Sequence, residues 1–249
     1  MEMSDNDSRV VVVTGGATGI GAATVTAFAS TGHQVFLLDI DEDGGRIVAE
    51  ANAGTTFVPA DITAEEEVAS AMSLVDEAAG RLDVLVNNAG GFGQSKSIEQ
   101  TSLGEWRRTV EVNLTSMFLM TRAALPLLRK SPAGKVVNLG SLAGQTAGWQ
   151  TSPAYVAAKG GVHALTRAMA TELAADGITV NALAPSAVLT DRIRGLRDEA
   201  ALETTAASIP LGRYQRPEEV AEWIVFLASP AAGFATGQTI SVNGGRFMA

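Results

Sequence analysis

Four consecutive valines, Val10 to Val13, run into a glycine-rich turn, Thr14 to Gly21, and then into helical sequence over residues 20–31. No other feature constrains the fold as much. An unbroken apolar run has no polar face to turn toward water, so it reads as a strand buried on both sides. The pattern then repeats. Apolar strands are predicted at 9–14, 34–39, 56–60, 82–86, 135–139, 178–183 and 239–242. Helical stretches are predicted at 64–79, in one or two pieces within 103–130, at 153–175 and at 217–228. Glu65, Glu66 and Glu67 stand near the start of one of them, where the helix dipole favours acids. Alternation of this kind predicts an α/β fold, a doubly wound parallel sheet covered by helices on both faces. A polar tail, 1–8, precedes a single domain over 9–249, with no linker or repeat. Residues 187–214 show no clear period and follow a strand end, where open α/β sheets place their ligands, so they read as a lid.

Composition narrows the function. The net charge of -9 repels the phosphates of nucleic acid and of anionic lipid, so neither is expected as a partner. There is no cysteine, which excludes disulfides, thiolate nucleophiles and cysteine-based zinc sites. No cluster of metal ligands is visible. The acidic, polar start is unlike a signal peptide, and no apolar run is long enough to span a bilayer. The expected location is cytoplasmic.

Gly15, Thr18, Gly19, Ile20 and Gly21 lie between the first strand and the first helix. Glycines there let backbone approach a pyrophosphate, whose charge the helix N-terminus favours. The spacing is G-x-x-x-G-x-G rather than the commoner G-x-G-x-x-G, so a plain tight turn is the alternative reading. Asp39 ends the second strand, where a carboxylate can accept from both adenosine ribose hydroxyls. Neither Thr18 nor Ile40 offers a cation for a 2′-phosphate. The expected cofactor is therefore NAD(H). The competing reading makes Asp39 one solvated acid in a run with Asp41, Glu42 and Asp43.

Tyr155 and Lys159 are spaced to share one helix face. A free tyrosine titrates near ~10, and poising it near ~7 needs roughly 4 kcal/mol. One ammonium about 4 Å away at an effective dielectric of ~20 supplies about that much. The pair is thus a sufficient acid–base device, although a chance surface pair has the same spacing. Asn87, Asn88, Ala89 and Gly90 follow the fourth strand, Ser141 follows the fifth, and Asn113 lies in the helical stretch between. All these strand ends fall on one side of a parallel sheet.

With those residues in order, the chain resembles the short-chain dehydrogenase/reductase family. The motifs are Thr14 to Gly21, Asp61 after the third strand, Asn87 to Gly90, Asn113, Ser141, Tyr155 with Lys159, and Val242 to Gly245. The resemblance implies strand order 3-2-1-4-5-6-7. It implies that Tyr155 exchanges the alcohol proton, Lys159 lowers its pKa and binds the nicotinamide ribose, and Ser141 bonds the substrate oxygen. Asn113 would hold a water linking Lys159 to solvent. Asp61 and Ile62 would bind the adenine edge, and Asn88, Ala89 and Gly90 would line the cofactor. Pro185, Ser186 and Val188 would complete its site, with Thr190 on the carboxamide. Family members are commonly tetramers, and Met117, Phe118, Leu119, Met120, Val162 and Leu165 offer apolar surface for a homotetramer.

Two departures bear on specificity. Serine stands at 186 where the family usually has glycine. Thr171, before Glu172, replaces an arginine common in reductases that act on acyl-carrier protein, leaving Arg129 and Lys130 as docking cations. The expected activity is hydride transfer between NAD(H) and a small secondary alcohol or ketone. A 3-oxoacyl-thioester reductase is the first alternative, and a catalytically silent NAD-binding sensor or scaffold the second. Trp149 and Gln150 read equally as substrate contacts or packing. His33 and His163 read as packing or surface residues, and Trp106 and Trp223 as core or interface.

Overall fold

Seven strands form one parallel sheet in the order 3-2-1-4-5-6-7. They are β1 (Val10–Thr14), β2 (Gln34–Asp39), β3 (Thr55–Pro59), β4 (Val84–Asn87), β5 (Lys135–Leu139), β6 (Thr179–Pro185) and β7 (Thr239–Val242). The computed structural model describes residues 8–93, 95–146 and 151–248. Trp149, Gln150 and most of the predicted polar tail lie outside the described residues.

The valine run explains the two-sided core. Val10 and Val12 face one side, joining Phe36, Leu38, Leu85 and Val136 under helices α3 (Glu65–Ala79), α5 (Ser116–Leu128) and α6 (Pro153–Leu173). Val11 and Val13 face the other, joining Val35, Leu37, Val84 and Val86 under α1 (Gly19–Ala29) and α9 (Pro217–Ala228). Side chains alternate across a strand, so only a continuous apolar run fills both layers. The register brings Val11 beside Val35 of β2 and Val84 of β4. Chain order therefore reverses at β1, and the crevice beyond the ends of β1 and β4 is where a doubly wound sheet holds a ligand.

Four local expectations need correction. The fourth strand is assigned from Val84 rather than 82, although the Asp83 backbone already bonds to both neighbours, its N to the Val10 carbonyl and its carbonyl to Lys135 N, at 2.9 Å each. The Asp83 carboxylate accepts from Val10 N at 2.8 Å and from Ser131 Oγ at 2.6 Å. A helix that the sequence conceals, α2 (Glu42–Ala51), follows β2. Its Gly44-Gly45 pair lowers helix propensity, yet Gly45 is required, since a Cβ there would stand 2.2 Å from the Phe57 ring. The segment 187–214 is not aperiodic loop. It holds α7 (Asp191–Leu196) and α8 (Glu199–Ala207), N-capped by Thr190 and Asp198 and too short to show a period. Finally, most of the apolar helix surface assigned to assembly is internal. Met117, Met120 and Val162 are buried, Leu119 and Leu165 are partly buried, and only Phe118 is exposed, at 45%.

Candidate active site

A cavity of about 830 Å³ opens along the C-terminal ends of the strands. That is large for a ligand site and suits a dinucleotide with a small substrate. Gly15, Thr18, Gly19 and Ile20 line one end of it, and Asp39, Ile40, Asp61 and Ile62 the wall beside them. Asn88, Ala89, Gly90, Ser141, Tyr155 and Lys159 line the cavity too, as do Pro185, Ser186, Val188 and Thr190, the last standing against Gly19. Gly21 and Asn113 stand behind the wall.

The glycine turn is shaped for close approach. Gly15 has φ 65°, and a Cβ on it would meet Ala89 Cα at 2.7 Å. Gly21 packs from behind, where a Cβ would fall 1.9 Å from the Gly15 carbonyl oxygen. Asn88 ties the turn to β4, its Nδ2 donating to the Thr14 and Gly15 carbonyls at 2.9 Å each. The N-cap side chain, Thr18, makes no capping bond, which leaves the first-turn amides of α1 to the cavity. This cradle fits a pyrophosphate on the chemistry of its donors.

Asp39 is set apart from the neighbouring acids. Its Oδ2 accepts from Ala17 N and its Oδ1 from Asp41 N, both at 3.0 Å, so two backbone amides fix the carboxylate on the cavity wall. Asp41 instead caps α2 through Gly44 N, and Glu42 pairs with Arg46. The carboxylate keeps lone pairs for ribose hydroxyls.

Ser152 caps α6, its Oγ accepting from Tyr155 N at 3.3 Å, and Pro153 starts the helix. Tyr155 and Lys159 then occupy one buried face against the short turn Leu142–Gly144. Ser141 Oγ accepts from Ala143 N at 3.1 Å, which leaves its own proton free to turn toward the Tyr155 phenol in the same cavity. Burial pushes the phenol above its ordinary range, while the Ser141 bond and the Arg192 charge pull it back. The pull expected from Lys159 is not among these causes. Burial draws Lys159 down to about 7, and its Nζ donates to the Leu139 carbonyl at 2.6 Å, 5.7 Å from the Tyr155 ring centre.

Asn113 occupies a π-helical turn, Glu111–Thr115, between α4 (Leu103–Val110) and α5. Such a bulge re-aims a side chain. Its Nδ2 donates to the Gly91 and Thr109 carbonyls at 3.0 Å, and its Oδ1 accepts from Gly91 N at 2.9 Å. The side chain thus clamps the backbone beside the cavity. A buried relay sits beneath: Asn87 Nδ2 donates to Asn138 Oδ1 at 2.9 Å, and Asn138 Nδ2 to Thr166 Oγ1 at 2.9 Å. It locks β4, β5 and α6 together.

Several cavity residues were not anticipated from sequence: Phe92, Arg192, Arg197, Tyr214 and Arg246. Only Arg246 carried a signal, standing directly after the Val242 to Gly245 motif. The Ser186 hydroxyl accepts from Arg246 Nη1 at 3.2 Å. His163 is buried one turn beyond Lys159, its ring bonded to the Gly144 carbonyl.

Among the described residues no helix is long and apolar enough to cross a membrane, and no group of side chains could hold a metal ion. The family model described as enoyl-(acyl carrier protein) reductase matches residues 15–246. An L-fucose dehydrogenase of Mus musculus is 42% identical over 95% of this chain and 88% of its own length. A cis-4-hydroxycyclohexanecarboxylate dehydrogenase of Sinomonas cyclohexanicum is 42% identical over 95% of this chain and 96% of its own. The solved RhlG/NADP active-site complex of Pseudomonas aeruginosa superposes with a TM-score of 0.91 at 34% identity, covering 98% of this chain and 99% of that one. The chain belongs to the short-chain dehydrogenase/reductase family and is an oxidoreductase that uses a nicotinamide cofactor on a CH–OH group.

Proposed function

We propose that the protein is an NAD(H)-dependent alcohol dehydrogenase or ketone reductase in which Tyr155 is the general acid–base. The observation that carries this reading is the buried pair Tyr155 and Lys159, one helical turn apart, with Ser141 lining the same cavity as the backbone-anchored Asp39. When bound, the nicotinamide accepts or donates the hydride. Tyr155 takes the carbinol proton during oxidation and returns it during reduction. Ser141 orients the substrate oxygen and steadies the phenolate. Lys159, buried and tuned to about 7, passes the proton onward and faces the ribose. Gly90 and Gly91 line the cofactor because Asn113 holds that backbone in place. Asp39 accepts from the adenosine ribose, and its charge disfavours a 2′-phosphate.

The acyl-carrier-protein reading is less well supported. Its docking cations are engaged within the chain, Arg129 with Asp176 at 2.8 Å and Lys130 with Asp76 at 2.9 Å. The segment 187–214 acts as the lid of a single catalytic domain. A homotetramer is supported by exposed Phe118 and by the Trp223–Phe226 pair on α9, edge to face at 5.9 Å. A light-scattering mass of one subunit would sink that part.

The deciding experiment is a steady-state assay with NADH and NADPH on a panel of ketones and alcohols, with Tyr155→Phe beside the wild type. Turnover should fall by at least ~100-fold in the variant, as for a lost acid–base group, with cofactor binding kept. Retained turnover would remove Tyr155 from the mechanism.

A further inference from the structure

His163 is a buried ionisable side chain that the reaction, as proposed, leaves without a task. It stands on α6 one turn beyond Lys159 and is only 5% exposed. Burial draws its pKa down to about 4, so at neutral pH the ring is uncharged and offers one donor and one acceptor nitrogen. Its seat in the fold is specific. A Cβ on Gly140 would stand 2.4 Å from His163 Nε2, so the ring lies directly on the backbone that precedes Ser141. Its hydrogen bond goes to the Gly144 carbonyl, at the end of the turn that Ser141 begins. There a Cβ on Gly144 would fall 2.5 Å from the Lys159 carbonyl carbon and 2.7 Å from Gly160 N, so turn and helix touch backbone to backbone.

The turn needs such a tie. Leu142–Gly144 is one turn of 3-10 helix, closed by Gly144 N on the Ser141 carbonyl at 3.0 Å and by Gln145 N on the Leu142 carbonyl at 2.9 Å. A turn this short is weak by itself, and its last carbonyls find few partners within it. The Ser141 side chain is bound to the turn, because its Oγ accepts from Ala143 N at 3.1 Å. Whatever orients Leu142–Gly144 therefore orients the Ser141 hydroxyl. Residues of α6 grip this region on both sides of Ser141. Lys159 Nζ donates to the Leu139 carbonyl at 2.6 Å, while the His163 ring covers Gly140 and bonds Gly144. Tyr155 rides on the same helix. We propose that His163 is a positioning residue, which seats the turn from Ser141 to Gly144 on α6 and so sets the Ser141 hydroxyl relative to the Tyr155 phenol. The proposal rests on the reading of Ser141 as the group that orients the substrate oxygen, and adds a residue that acts only through it.

The test is a double-mutant cycle in the full chain, run on the best ketone of the panel. His163→Leu and His163→Met keep an apolar filler and delete the donor. Each should lower kcat by about tenfold, the scale of a small misplacement of a reacting group, while NADH affinity by fluorescence titration stays within about twofold. His163→Asn and His163→Gln put an amide donor near one or the other ring nitrogen, and the better of them should keep at least about half of the wild-type kcat. In Ser141→Ala, itself slowed, adding His163→Leu should change kcat by less than about twofold, since the group being positioned is already gone. An equal loss in both backgrounds would overturn the proposal, because a general packing defect is indifferent to Ser141. So would wild-type kcat in both donor-free variants, or amide variants no better than leucine. In those outcomes Ser141→Ala still impairs turnover, and the reading of Ser141 stands. A Ser141→Ala protein as fast as the wild type would sink both. Should the donor-free variants not fold, the slower amide variant goes through the same cycle, and a loss that persists in Ser141→Ala overturns the proposal.

Discussion

Arg192 Nη2 donates to the Phe92 carbonyl at 2.6 Å, tying α7 to the segment that follows β4 across the mouth of the site. Phe92 in turn packs its ring edge-on against Tyr155, with centroids 5.4 Å apart. One side chain thus links α7, the backbone after β4 and the phenol, and its charge is one of the two influences that lower the phenol's pKa. Arg192→Met should loosen the lid and raise KM by about two- to fivefold, the scale of an exposed charged contact. Loss of the cation should also move the acidic, rising limb of the kcat/KM profile for alcohol oxidation to higher pH, since the phenol must be deprotonated to take the carbinol proton. A profile that coincides with the wild type would show that Arg192 exerts no field on Tyr155.

On the proposed NAD(H) reading, Asp39 should set the cofactor preference. Held by Ala17 N and Asp41 N, its carboxylate cannot swing away from a 2′-phosphate. Two opposed unit charges about 4 Å apart repel by roughly 4 kcal/mol at an effective dielectric of ~20, and even a quarter of that is around fivefold. Adding the lost ribose hydrogen bonds, the wild type should prefer NAD(H) by at least about tenfold in kcat/KM. Ile40 is 74% exposed at the rim, so an arginine fits there without repacking. The double change Asp39→Ser, Ile40→Arg should narrow or reverse the preference. A wild type that favours NADPH would remove Asp39 from the ribose.

Gly21 is a packing requirement of the glycine turn. Gly21→Ala places a methyl group 1.9 Å from the Gly15 carbonyl and 2.6 Å from Asn88 Nδ2. Backbone must move, at a cost of about 1–3 kcal/mol. Both melting temperature and NADH affinity should fall, the latter at least about tenfold by fluorescence titration, if the displaced backbone cradles the pyrophosphate as proposed. An unchanged affinity would separate the turn from the cofactor.

His163 should make the fold acid-sensitive. Burial, with the Lys159 and Arg167 charges, draws it from 6.5 to about 4, against a bond to the Gly144 carbonyl that pulls the other way. A depressed folded pKa means that the unfolded chain binds the proton first. The contribution is therefore fully present above pH 6.5 and is lost as pH falls toward 4. The interval corresponds to roughly 3 kcal/mol at most. His163→Gln should flatten the dependence of melting temperature on pH across that window. Parallel curves for the two proteins would assign the acid sensitivity elsewhere.

Much of the site was legible because it is local. The glycine turn, Asp39 at a strand end, and Tyr155 with Lys159 one helical turn apart all owe their geometry to a few neighbouring residues. The rest of the cavity lining was not, because Arg197, Tyr214, Ser186 and Arg246 come from four separate segments with no spacing rule to join them. Asn113 was legible as a residue but not as a clamp, since the π-helical turn that aims it leaves no mark in the periodicity.

By itself the sequence determined the two-layered parallel sheet, because a run such as Val10 to Val13 is stable only when covered on both faces. It also determined the cofactor end, where backbone close to a phosphate requires glycine. Tertiary structure alone decided which acids matter, separating Asp39 on the wall from Asp41 at a helix cap. It alone decided the charge states at the centre, where burial brings Lys159 to about 7 and leaves Ser141 and Arg192 to counter the rise in Tyr155. Desolvation and charge act through space, and the distances that set them exist only after distant segments have packed together.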